Sequence, residues 1–390
     1  MTHLSPGPIV LLALLGFLHW PSTASADDCV ALGKWTLADG SLKTLPPGDL
    51  LSRATRARVI LLGEEHDNAQ HHAWQLHVLA ALHASQPEMM IGFESFPRRV
   101  QPVLDRWVSG QLSEAELLRD TQWERVWGID AQLYLPLFHF ARMHRIPMLA
   151  LNVERSLVQR VGQQGWRAIP LAEREGVGDP SPATPAYLQA LYPAFRAHGA
   201  AESTPSTGLE DPRFRNFADS MLLWDRAMAE AIARPLLAQQ VSLVVGIAGR
   251  GHLEYRHGIP RQLQALGIDG AVVLLPWDTG AQCESPPANI ADAVFGLNPA
   301  SMRANTPRLG VELAPSNDRV RIQQVVANSV AAQSGLLAGD ILETVAGTPV
   351  TSMQMVISIV RRQAPGTWLP IVVSRDGKRV ELVAKFPPKS

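Results

Sequence analysis

Residues 58–72 read RVILLGEEHDNAQHH: a short strand-like run, Arg58 to Gly63, leads into a polar patch and then into a helical stretch. The centre of that run is continuous, with Val59, Ile60, Leu61 and Leu62 all apolar. A strand with one wetted face alternates apolar and polar residues, whereas one covered on both faces by helices does not. The run therefore predicts an interior strand of a parallel sheet. Four more runs have the same character: Met89–Phe93, Pro147–Leu151, Val241–Ile247 and Ala271–Leu275. Helical stretches separate them, at Ala69–Ser85, Val100–Trp107, Ala131–His144 and Arg215–Ala233. Strand alternating with helix predicts an α/β domain, a mostly parallel sheet flanked by helices.

Outward from that domain the composition changes twice. Residues 285–307 carry Pro286-Pro287, Asn298-Pro299 and Thr306-Pro307 and read as a linker. Beyond it, residues 308–387 show short strands, one helix and turn residues, as in a small β-rich module. Gly176–Pro212 is rich in Pro, Ser, Thr and Gly and is expected to be a loop or small lid on the first domain. Residues 1–26 have the form of a cleaved signal peptide. Ile9–Trp20 is apolar but too short to span a bilayer, and Ala24-Ser25-Ala26 is a cleavage site. The first domain then occupies residues 27–284, and a periplasmic location follows. Asp27 and Asp28, rather than small residues, precede Cys29, which speaks against lipidation. The chain has two cysteines, Cys29 and Cys283, and in an oxidising compartment they are expected to form a disulfide. With 390 residues, 46% hydrophobic and 18% charged, the chain is globular. A net charge of -1 gives no reason to expect a nucleic-acid partner.

Polar residues gather where these strands end. Gly63-Glu64-Glu65-His66 follows the first, Glu94-Ser95 the second, Asn152 the third, Gly249-Arg250-Gly251-His252 the fourth and Trp277-Asp278 the fifth. Open α/β sheets bind ligands outside the carboxyl ends of their strands, so these groups predict one crevice. The chemistry on offer is carboxylate plus imidazole. His66 and His252 can act as general base, metal ligand or haem partner, and Glu65 and Glu94 can orient a histidine or move a proton. The same residues would also serve as a buried hydrogen-bonded network. At most one of His71 and His72 is expected to reach the crevice. The chain lacks GxSxG, GxxxxGK[ST] and paired CxxC, which excludes the common serine-hydrolase, P-loop and zinc-ribbon signatures.

The order and spacing of LLGEEHDNAQHH (61–72), IGFESF (91–96), ALNVERSLVQRVGQQGW (150–166), MLLWDRAMAEAI (221–232) and GRGHLEYRHGIP (249–260) resemble the ChaN family of haem-binding proteins. That family belongs to the superfamily of Tiki and TraB proteins and erythromycin esterase-like enzymes. The resemblance implies haem binding at the cell envelope, a link to iron uptake, and haem shared across a homodimer. Tyrosine can hold haem iron. Among four tyrosines, Tyr255 lies inside the last motif and is the expected ligand, with His252 or His257 in support and His66 and Glu65 as further cofactor-site candidates. The superfamily also implies an alternative, a metal-dependent hydrolase or protease in which His66, Glu94 and His252 hold a divalent ion. Residues 308–387 resemble a PDZ domain of the HtrA protease type, through RLGVEL (308–313) and NSVAAQSGLLAGDILETVAGTPV (328–350). Such a module binds a C-terminal peptide, here of an envelope protein. The amides of Leu309, Gly310 and Val311 would take the carboxylate, and Val356, Ile357 and Val360 would form the apolar pocket.

Overall fold

The computed structural model describes residues 29–54, 56–197, 208–279, 285–298, 307–316 and 319–388. The expected signal peptide lies outside them. The first domain contributes strands β1 (Trp35–Leu37), β2 (Thr44–Leu45), β3 (Val59–Glu64), β4 (Met89–Pro97), β5 (Met148–Asn152), β6 (Leu243–Gly249), β7 (Val272–Asp278) and β8 (Ala293–Leu297). Its helices are α1 (Pro47–Ala54), α2 (Ala69–Ser85), α3 (Gln101–Val108), α4 (Glu114–Asp120), α5 (Trp123–Val126) and α6 (Ala131–Met143). They continue with α7 (Arg155–Gln164), α8 (Pro185–Ala197), α9 (Pro212–Leu237) and α10 (Ile259–Ala265). The strands form one sheet in the order β2-β1-β8-β7-β3-β6-β4-β5. All pairs from β8 to β5 are parallel, while β1 runs antiparallel to β8 and β2.

The continuous apolar run has the place its pattern requires. β3 pairs with β6 on one side and β7 on the other, and all six of its residues are buried. Ile60 and Leu62 point to the layer of α2, α3 and α6, packing with Trp74, Leu79, Trp107 and Phe138. Val59 and Leu61 point to the layer of α9 and α10, with Met228, Ile232 and Leu263. Each such buried side chain contributes about 1.5–3 kcal/mol of apolar burial, which fixes this strand at the centre.

Two expectations are corrected. The Pro- and Ser-rich stretch after Gly176 contains helix α8, because Tyr187, Leu191 and Phe195 recur every fourth residue and pack against Phe214, Ala218 and Leu222 of α9. The segment read as linker contributes β8, whose Ala293 and Val294 are fully buried between β7 and β1. Cys29 is disulfide-bonded, and Cys283, the chain's other cysteine, lies outside the described residues. Among the described residues no helix is long and apolar enough to cross a membrane.

The C-terminal module has strands β9 (Val311–Ser316), β10 (Arg319–Val325), β11 (Ile341–Val345), β12 (Thr348–Pro349), β13 (Trp368–Arg375) and β14 (Lys378–Lys385). Its helices are α11 (Val330–Gln333) and α12 (Met353–Arg361). The sheet is antiparallel throughout, in the order β14-β13-β11-β10-β9 with β12 on β11, so β9 is left as an open edge.

Candidate functional site

The crevice at the strand ends is built around three groups. His66 follows β3, and its Nδ1 lies 2.8 Å from Glu64 Oε1. Glu64 is buried and also receives the Tyr134 hydroxyl at 2.5 Å and Gln75 Nε2 at 2.8 Å. A carboxylate so placed holds the ring with Nδ1 protonated and leaves Nε2 toward the cavity. Burial works against a proton on His66, but Glu64 and Glu94 outweigh it and raise its pKa.

His252 sits in the turn after β6. Its Nδ1 lies 2.7 Å from Asp225 Oδ1, Asp225 in turn takes the Tyr187 hydroxyl at 2.6 Å, and Nε2 lies 3.5 Å from Glu94 Oε1. Burial opposes charge on this imidazole, yet Glu94 and Asp225 lift its pKa to about 10. Burial alone would raise Glu94 as well, but His252, His66 and the Gly249 N–H bring it down to about 2. Asp225 keeps a raised pKa, because its burial is only partly offset by His252.

β4 delivers Glu94 through a break in register. Phe93 pairs with Ala150, but the next pair is Pro97 with Asn152, so the intervening residues bulge out of the ladder. Glu94 Oε2 then accepts the Gly249 N–H at 2.7 Å. Gly249 has to be glycine, since a Cβ there would stand 2.8 Å from His66 Cε1 and 3.0 Å from Nε2. A cavity of about 510 Å³ opens beside His66, with Glu94, Ser95, Trp127, Asn152, Arg155 and Trp224 among its walls.

His66, Glu94 and His252 are thus brought together at the strand ends, with Glu94 hydrogen-bonded to the Gly249 N–H and facing His252. His252 has a carboxylate at each ring nitrogen, Asp225 at Nδ1 and Glu94 at Nε2. Glu65 does not join them. Its carboxylate is half exposed, 3.9 Å from Arg250, and forms a separate group with His71 and Asp278 whose ligand atoms all lie within 4.8 Å of one another. His71 Nδ1 accepts the Glu65 N–H at 2.9 Å, and burial, aided by Arg250, lowers its pKa to about 4. The ring's one lone pair is therefore used. Both His71 and His72 are buried and touch strand-end backbone, His72 Nε2 meeting the His66 carbonyl at 3.0 Å, and neither is among the residues that line the cavity.

Tyr255 and His257 lie outside the cavity. Tyr255 is 38% exposed and stacks on His257 with ring centres 5.7 Å apart. Tyr255 and Arg256 both have left-handed backbone, φ 53° and 61°, a strained arrangement for residues other than glycine. The Tyr255 N–H to Ile290 O and the Arg256 guanidinium on Asp292 hold that turn in place. His252, expected as a supporting ligand of Tyr255, instead faces Glu94 and Asp225.

In the C-terminal module Leu309 and Gly310 precede the open edge β9, and their N–H groups find no acceptor among the described residues. Gly310 has φ 81°, and a Cβ there would meet Ser329 Cβ at 2.2 Å. Val356 and Val360 of α12 are buried in the module's own core. Ile357 does not join them. It lines a small gap with Glu124, Ile129 and Asp130 of the first domain, because its position on α12 faces away from the module's core.

A family model described as haem-binding uptake, Tiki superfamily, ChaN matches residues 50–263, more than half of the chain. A PDZ domain model matches residues 307–385. Among solved structures, the chain is similar to ChaN of Campylobacter jejuni, described as binding haem cofacially. The identity is 20%, covering 67% of this chain and 95% of that one, at a TM-score of 0.51, which is a likeness of fold. The C-terminal segment is similar to part of the HtrA-type protease AlgW with decapeptide, 26% identical over 22% of this chain and 30% of that one, TM-score 0.20. No curated protein matches the chain in sequence.

Proposed function

Because the chain belongs to the ChaN family of haem-binding uptake proteins in the Tiki superfamily, we propose that its first domain binds haem at the turn that carries Tyr255. The observation that carries this reading is Tyr255 itself. Its phenol is exposed, hydrogen-bonds nothing among the described residues, and is held out by a strained turn. Beside it, burial and then Arg261 lower the pKa of His257, leaving the neutral imidazole that can ligate iron. The donor set fits haem, whose iron accepts phenolate and imidazole and supplies the redox-active centre when bound. A porphyrin on so open a surface has a second face to cover, which a second copy of the chain would do. With the signal peptide, the reading extends to a periplasmic protein serving haem or iron uptake.

Titration of the signal-free protein with haemin tests it. A saturable Soret shift is expected, with affinity lowered at least tenfold in Tyr255→Phe. Wild-type affinity in that variant rejects the ligand.

The PDZ domain supplies the partner. A C-terminal peptide of an envelope protein adds as a strand along β9, with its carboxylate on the Leu309 and Gly310 amides. Amidating such a peptide is expected to remove most of its binding, and equal binding of both forms rejects this mode.

A second reading, a hydrolase, is favoured by the cavity next to His66, whose oriented Nε2 has the form of a general base. Loss of esterase or peptidase activity in His66→Gln supports it, and equal activity in wild type and variant refutes it.

A further inference from the structure

The cavity beside His66 is not part of the turn that carries Tyr255, and its walls have a chemistry of their own. They are mixed in an uneven way. Trp127 and Trp224 give flat apolar surface. Among the wall's buried polar atoms without a hydrogen-bond partner, three can donate, Trp127 Nε1, Trp224 Nε1 and Ser95 Oγ, and the one acceptor, Glu154 Oε1, is ion-paired with Arg99. Two guanidinium groups, Arg125 and Arg155, also line it. Arg125 meets only the amide oxygen of Gln122, at 2.6 Å, and Arg155 meets no carboxylate among the described residues.

The two wall carboxylates are already neutralised. Glu94 is held by His252 and by the Gly249 N–H, and Glu154 pairs with Arg99 at 2.5 Å. What faces the space is therefore a set of donors and unpaired cations over aromatic surface. An unpaired buried donor costs stability until an acceptor reaches it, and arginine forks match planar carboxylates in particular.

We propose that this cavity is a second ligand site, separate from the haem turn, for an organic carboxylate with a flat apolar body. The body lies against Trp127 and Trp224, and the carboxylate reaches Arg125 and Arg155 at the wall. A cavity of about 510 Å³ is in the usual size range for small-molecule sites. The site does not depend on iron, so it stands or falls apart from the haem reading.

Calorimetry on the full chain tests it with a matched pair of probes, 1-pyrenebutyrate and 1-pyrenebutanol, which share the flat body and differ in the charge. The acid is expected to bind at one per chain, at least tenfold tighter than the alcohol. Arg155→Gln, and more so Arg125→Gln with Arg155→Gln, brings the acid's affinity down to the alcohol's while the melting temperature holds. Arg155→Lys, which keeps the charge and loses the fork, should fall between. Equal affinity for acid and alcohol, no binding of either, or an unchanged acid affinity in the double variant overturns the proposal.

Discussion

Two chains of buried groups run from tyrosine to carboxylate to histidine at the strand ends, one through Tyr134, Glu64 and His66, the other through Tyr187, Asp225 and His252. Their ingredients are nearly the same and their outcomes differ. The first is local at its active end, since Glu64 stands two residues before His66, and its imidazole keeps 34% of its side chain exposed toward the cavity. The second joins α9 to the turn after β6, and its imidazole is 8% exposed with carboxylates on both nitrogens. One histidine is left able to meet a ligand. The other is closed in between Asp225 and Glu94, which raise its pKa, and it ties three elements together. Equal residue types, differently closed off from water, give one chemical group and one structural clamp.

That contrast can be broken by stability measurements. Asp225→Ala leaves a buried imidazolium with one partner instead of two, and such a loss costs about 3–5 kcal/mol. His66→Gln, at a half-open site, is expected to cost about 1 kcal/mol. Urea unfolding of both variants measures the difference, and equal losses would mean that the two chains are not distinct in kind.

The pH dependence sharpens it further. His252 has a pKa raised to about 10 in the folded chain, against 6.5 for an unperturbed histidine such as the unfolded chain presents. The folded form therefore holds a proton that the unfolded form lacks between those values, and stability falls as pH rises through that window. Glu94 acts on the other side. Its pKa near 2 gives stability that is present above about 4.5 and lost as pH falls toward 2. His71 adds to the acid side, since the unfolded ring takes a proton below 6.5 that the folded ring refuses until about 4. Maximum stability is expected close to pH 6.5. His252→Gln should flatten the alkaline limb and leave the His71 part of the acid limb in place, and an unchanged alkaline slope in that variant contradicts the charge assignment.

The sheet was legible because burial on both faces leaves a continuous apolar run, and α2 has the bounds expected, Ala69–Ser85. Helix α8 and strand β8 were hidden by proline and serine content that outweighed short apolar patterns at Tyr187, Leu191 and Phe195 and at Ala293–Val294. At the site, His66, Glu94 and His252 were legible as strand-end residues. Position after the strand favours Glu65 over Glu64, although alternation along β3 puts Glu64 on the face of Ile60 and Leu62. Asp225 lies in α9 between buried Leu223 and Ala227, and a charged residue on an apolar stripe is a sign of a buried partner. Which partner it has depends on how α9 crosses β6, and that is a matter of tertiary packing.

Resonance Raman spectroscopy of the haemin complex tests the placement of haem most directly, because it identifies the axial ligand as well as the fact of binding. Iron–phenolate bands are expected in the wild-type complex, retained in His66→Gln and absent in Tyr255→Phe. A histidine-ligated spectrum that survives Tyr255→Phe and disappears in His66→Gln would put the haem in the cavity and contradict the account.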